Sequence, residues 1–114
     1  MPVSDGGTER VRVETTTDGQ ASAGAIARSV IEHRLAACAQ VSGPITSFYR
    51  WEGEVQHDEE WMVVLKTAGD RLADLTAHLL DVHPYDVPEI IAVPIEGGNP
   101  EYLDWLVDET RAGA

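Results

Sequence analysis

Polar and apolar residues alternate with period two along Arg10-Val11-Arg12-Val13-Glu14-Thr15-Thr16. This pattern predicts a strand with one buried face. Thr17-Asp18-Gly19 breaks it, and Asp18 is the expected N-cap of the next element. From Gln20 the chain is alanine-rich, and Ile26, Ala27, Val30, Ile31, Leu35 and Ala37 recur at helical spacing. They predict a helix over residues 20–37, with small residues at its end to let it lie close to a sheet. Ser42-Gly43-Pro44 marks a bend or bulge. Ile45-Thr46-Ser47-Phe48-Tyr49-Arg50-Trp51 favours a strand, Glu52-Gly53 a turn, and Trp61-Met62-Val63-Val64-Leu65-Lys66-Thr67 a second strand. Residues 45–67 thus form a long hairpin, interrupted by the charged His57-Asp58-Glu59-Glu60.

Gly69-Asp70 opens a second helix, with Asp70 as expected N-cap and Leu72, Leu75, Leu79, Leu80 and His83 as its stripe. Pro84 ends it, because proline pushes the residue before it out of the helical region. Ile90-Ile91-Ala92-Val93 is continuously apolar, which predicts a strand buried on both faces. Asn99-Pro100-Glu101 starts a last helix with Tyr102, Leu103, Leu106 and Val107 on its apolar face, fraying from Thr110.

The order strand, helix, strand, strand, helix, strand, helix predicts an α+β, ferredoxin-like βαββαβ fold. Its antiparallel sheet carries an extended central hairpin, and a C-terminal helix is added. Phe48, Tyr49, Trp51, Trp61, Met62 and Val64 make that hairpin apolar on both faces. Such a surface is normally covered, so a homo-oligomer is expected.

The chain of 114 residues is sized for one domain over residues 9–112, with residues 1–8 expected as a polar, disordered tail. That tail lacks an apolar signal-peptide core. No apolar run reaches the roughly 18 residues a membrane span needs. A single cysteine, Cys38, offers no internal disulfide and suits a reducing compartment, so a cytoplasmic location is expected. The net charge of −12 argues against nucleic-acid binding, which requires lysine and arginine against phosphate.

Catalysis finds no support. Thr16-Thr17-Asp18-Gly19-Gln20 lacks the arginine of an anion-cradling acylphosphatase loop, and Pro2 leads into a tail rather than a tautomerase strand. Gly97-Gly98 is too short for a phosphate-binding loop, and no Ser-His-Asp or Cys-His arrangement is evident. His83, beside Tyr85, Asp86 and Glu89, offers a neutral imidazole to copper or zinc. It has no ligand partner at metal-binding spacing, and the competing role is to cap its helix. Cys38 reads either as a Cu(I) thiolate or as an inert cysteine among alanines. His57-Asp58-Glu59-Glu60 and Asp104, Asp108 and Glu109 read as solvated charge, and Arg50 and Lys66 as partners for carboxylates. His33 and His78 lack a histidine at i+4 and carry no assigned role.

Arg34-Leu35-Ala36-Ala37-Cys38-Ala39, the run from Ile45 through Trp51-Glu52-Gly53, Leu65-Lys66-Thr67, His83-Pro84-Tyr85-Asp86-Val87-Pro88-Glu89-Ile90-Ile91 and Gly98-Asn99-Pro100-Glu101-Tyr102-Leu103-Asp104-Trp105 complete the pattern. Taken together they resemble the CutA family of divalent-ion tolerance proteins. The resemblance implies a tight homotrimer, related in architecture to the PII signalling proteins, with a role in copper or other divalent-cation tolerance and no agreed enzymatic activity. It also implies copper contact at the histidine preceding Pro-Tyr, here His83. Other suggested ligands of the family fall on Val82 and on Glu14-Thr15-Thr16. The alternative is a PII-like signalling or scaffolding trimer that serves a protein partner and has no metal role.

Overall fold

The structure, a computed structural model, describes residues 9–111, so the expected tail at residues 1–8 lies outside the described residues. Strands β1 (Arg10–Thr17), β2 (Cys38–Trp51), β3 (Glu54–Ala68) and β4 (Ile91–Ile95) form one antiparallel sheet in the order β2-β3-β1-β4. Helices α1 (Gln20–Glu32), α2 (Leu72–Val82) and α3 (Pro100–Asp108) complete the ferredoxin-like α+β fold.

The period-two alternation of β1 decides the layering. Val11 and Val13 are buried with Val63 and Leu65 of β3 against Ala23, Ile26 and Val30 of α1 and Leu75 and Leu79 of α2. Burying a side chain of this kind contributes roughly 1.5–3 kcal/mol, and α1 and α2 form one layer over one sheet face. Helix α3 sits where β1 begins: Arg10 reaches the Leu103 carbonyl (3.4 Å) and Asp104 (3.5 Å), and Leu106 is fully buried.

Several local expectations give way. Helix α1 stops at Glu32 rather than Ala37. Arg34 adopts φ 55°, while Leu35 N–H donates to the Val30 carbonyl and Arg34 N–H to that of Ile31. This is a Schellman ending with arginine where glycine is usual. The chain is thereby freed to begin β2 at Cys38, opposite Lys66. Asp18 does not cap α1, whose N-cap is Gly19 without a side-chain bond; Thr17 instead bonds Ser22 at 2.7 Å. Nor does Asp70 cap α2, which follows a 3-10 turn (Gly69–Arg71); its carboxylate accepts from Arg111 at 2.8 Å. That ion pair and the buried Thr110 fix residues 110 and 111 after α3; the rest of the end expected to fray, residues 112–114, lies outside the described residues.

Strand β3 runs unbroken through His57–Glu60, because each of those residues pairs with β2. Leu80 is exposed rather than part of the buried stripe. The expectation that β4 is buried on both faces fails in the single chain. It is an edge strand, and Ile91 and Val93 lie across from Glu14 and Arg12 on the face opposite α1 and α2. They remain 48% and 45% exposed.

The hairpin signals hold. Glu52 (φ 50°) and Gly53 (φ 81°) make the two-residue turn, which needs positive φ at both positions. The register shifts between Ser42 and Ile45, at the expected bulge, where the Gly43–Pro44 peptide is cis. A Cβ at Gly43 would meet the Trp61 ring at 2.7 Å, so glycine there lets the backbone close on the indole. Asn99 caps α3, accepting from Glu101 N–H at 3.1 Å, with Pro100 at the first helical position.

Candidate functional site

Pairing with β1 ends at Thr17 opposite Trp61, whereas β2 and β3 continue to Trp51 opposite Glu54. Residues 54–60 of β3 therefore lose their β1 neighbour, and the hairpin projects past the body. The turn after α2 lies in the angle so formed.

Pro84 sets that turn by holding His83 extended (φ −74°, ψ 136°) directly after the helix. His83 is 8% exposed. Its Nδ1 accepts from Tyr85 N–H at 3.1 Å, which leaves the proton on Nε2. Nε2–H donates to the Thr16 carbonyl at 2.9 Å and lies 3.1 Å from Thr15 Oγ1. His83 is the C-cap of α2 through its N–H to the Leu79 carbonyl, while its side chain ties the end of α2 to the end of β1 rather than reaching the helix's last carbonyls.

The Tyr85 ring lies against the imidazole, centroids 4.9 Å apart, and its hydroxyl donates to Glu60 Oε2 at 2.8 Å. Burial and then the Glu60 bond and charge, with Asp18 and Asp58 beyond it, hold the Tyr85 hydroxyl protonated far above the usual tyrosine range. Tyr49 donates in the same way to Asp58, and this bond is the main reason that its hydroxyl is also raised. Burial, with Glu14 and Glu60 nearby, pushes the Glu89 carboxyl upward.

Tyr49, Asp58, Glu60, Tyr85 and Glu89 line an open cleft of about 960 Å3 between the turn and the hairpin, and His83 is not among its lining residues. Its walls carry Phe48, Tyr49, Trp51 and Tyr85 among the carboxylates of Asp18, Asp58, Glu59, Glu60, Asp86 and Glu89. Such a cleft attracts cations and repels phosphate. No three His, Cys, Asp or Glu side chains among the described residues converge as a metal-ligand set, and both His83 nitrogens are already bonded, so one chain does not supply a closed chelate.

The other candidates are placed elsewhere. Cys38 is half-buried in β2, and Tyr102, raised chiefly by burial, lies against its thiol. Lys66 meets Gln40 (3.2 Å) and Arg50 the Gly53 carbonyl (3.3 Å), rather than the expected carboxylates. His33 and His78, assigned no role from spacing, are brought together across α1 and α2 with centroids 4.8 Å apart. Their wide separation in sequence gives no periodic signal, so only the packing of the two helices reveals the pair.

The family model for "CutA1 divalent ion tolerance protein" matches residues 11–109. The chain belongs to the CutA1 family. It is 44% identical over 95 residues to the divalent-cation tolerance protein CutA of Thermus thermophilus, covering 83% of this chain and 92% of that protein. It is 46% identical over 86 residues to the chloroplastic CutA of Arabidopsis thaliana; there the match covers 75% of this chain and 47% of the relative, so the chain spans about half its length. The crystal structure of CutA1 from Oryza sativa superposes with a TM-score of 0.88 at 42% identity, covering 92% of this chain and 96% of that one. No helix among the described residues of this CutA1 chain is long and apolar enough to cross a membrane.

Proposed function

We propose that this CutA1 chain works as a homotrimer in divalent-cation tolerance, contacting the ion at the His83–Tyr85 turn and its acidic cleft, without catalysis and in a reducing, cytoplasmic compartment. The observation that carries the reading is the cleft itself. It places the turn shared with the family among carboxylates on an otherwise strongly acidic chain. Copper contact is by His83 Nδ1, a neutral imidazole nitrogen suited to Cu(II), in exchange for the Tyr85 N–H. Support for assembly comes from the hairpin, where Phe48 is 72% and Trp51 57% exposed beside the unpaired edge of residues 54–60. Support for the compartment is Cys38, a lone cysteine.

Calorimetric titration of Cu(II) into wild type, His83→Gln and Glu60→Gln tests the metal role. The expected result is loss of a binding event in H83Q and its weakening in E60Q. Identical isotherms for all three would overturn it. They would favour a second reading, a signalling or scaffolding trimer with a protein partner, which the occupied ring nitrogens of His83 support.

A further inference from the structure

On the helical layer, away from the cleft, the side chains of His33 and His78 meet. His33 follows α1 as its C-cap and is exposed; His78 lies in α2 and is half-buried. Both rings are anchored on one residue. His33 Nδ1 lies 2.8 Å from the Ser29 carbonyl, and His78 Nε2 lies 2.7 Å from Ser29 Oγ. A carbonyl can only accept, so Nδ1 of His33 carries the proton and Nε2 keeps its lone pair. When His78 donates Nε2–H to the Ser29 hydroxyl, its Nδ1 likewise presents a lone pair.

We propose that His33 Nε2 and His78 Nδ1 form a two-histidine site for a borderline divalent ion, Cu(II) before Ni(II) or Zn(II), separate from the His83 cleft. Three observations bear on it. A ring N–H given to a backbone carbonyl or hydroxyl is the outer-shell arrangement that orients metal-binding histidines. The ring spacing also fits. A metal–nitrogen bond of about 2.0–2.1 Å, with nitrogens about 90–110° apart at the metal, puts two imidazole centres roughly 4.5–5.3 Å apart. The observed separation is 4.8 Å, inside that range, with the planes tilted by 42°. Finally, His33 stands at the C-terminus of α1, where the helix dipole favours a cation. No third His, Cys, Asp or Glu joins the pair among the described residues, so water completes the shell. Imidazole selects copper, nickel or zinc over magnesium or calcium, with copper tightest. The layer lies on the sheet face opposite Ile91 and Val93, so oligomer assembly through that exposed side leaves the site open.

The test is Cu(II) titration of the full chain, followed by paramagnetic broadening of histidine side-chain resonances. Wild type, His33→Gln, His78→Gln, Ser29→Ala and His83→Gln are compared. At substoichiometric Cu(II) the His33 and His78 resonances broaden together. H33Q and H78Q each weaken this event about tenfold or more, and S29A, which frees a ring without removing it, weakens it by about tenfold. H83Q leaves it unchanged, and H33Q and H78Q leave any event lost in H83Q unchanged, so the two sites fail independently. Circular dichroism confirms that each variant is folded. Broadening that ignores H33Q and H78Q, or no broadening at either ring, would show a packing contact only and overturn the proposal.

Discussion

The helix-packed part of the sheet and the projecting hairpin contain similar apolar residues but expose them very differently. Val13, Val30, Val63, Leu65, Leu75 and Leu79 are all fully buried. Further along β2 the chain turns outward, and Phe48, Tyr49, Trp51 and Val55 stand in solvent on one projecting ribbon. The first group is satisfied within a single chain. The second has strand pairing but no cover, on an arm that stretches the molecule to 48 Å along its longest axis against 27 and 22 Å across. An isolated two-stranded ribbon is marginal in water. The body therefore carries the fold, while the arm and the face at Ile91 and Val93 leave apolar side chains without cover in the single chain, the surfaces that the proposed assembly would use.

Substitutions should divide along that line. The largest effect is expected at Leu79, which α2 buries completely against the sheet. Leu79→Ala should cost about 2–5 kcal/mol in denaturant unfolding, through lost burial and the cavity left behind. Phe48→Asp should leave the chain folded by circular dichroism yet weaken self-association by about 2 kcal/mol, roughly thirtyfold. Should it instead lower chain stability as much as Leu79→Ala does, the division between body and arm is broken.

His83 sits on the boundary between the two. His83→Ala removes the partner of the Thr16 carbonyl and the Tyr85 N–H, and should cost about 1–3 kcal/mol of stability apart from any metal effect. Hydrogen exchange at Tyr85 would report the loss locally. The smallest effect concerns the far end of the sheet. The Arg111 bond holds the Asp70 carboxyl below its ordinary 3.8. The stability it contributes is thus complete above that value and lost as pH falls through the lower, folded one. Asp70→Asn should cost about 0.5 kcal/mol at neutral pH, since the pair is half exposed. The gap from wild type should close on acidification, as urea midpoints across pH would show.

How far the chain is legible follows from where its signals reside. The alternation of β1, the Glu52-Gly53 turn, the Gly43-Pro44 bulge and the Asn99-Pro100 start are local, and each appears where its chemistry demands. The end of α1 is illegible because Arg34 takes a left-handed conformation that glycine usually signals. His57–Glu60 reads as a break because four polar residues in a row oppose a buried strand, although a projecting edge tolerates them. At the cleft, His83 and Tyr85 stand out, but the partners that define their roles, Thr16 and Glu60, are distant in sequence. The His33–His78 pair depends entirely on helix packing and leaves no trace in spacing.

If the arm exists to be covered by copies of this chain, its removal as a contact surface should change the mass of the particle in solution. Sedimentation equilibrium of wild type and Phe48→Asp at micromolar concentration measures that mass. Three times the chain mass is expected for wild type, with a shift toward a single chain mass for F48D. A wild-type protein that sediments as a monomer, or an F48D variant as fully trimeric as wild type, would contradict a covered arm.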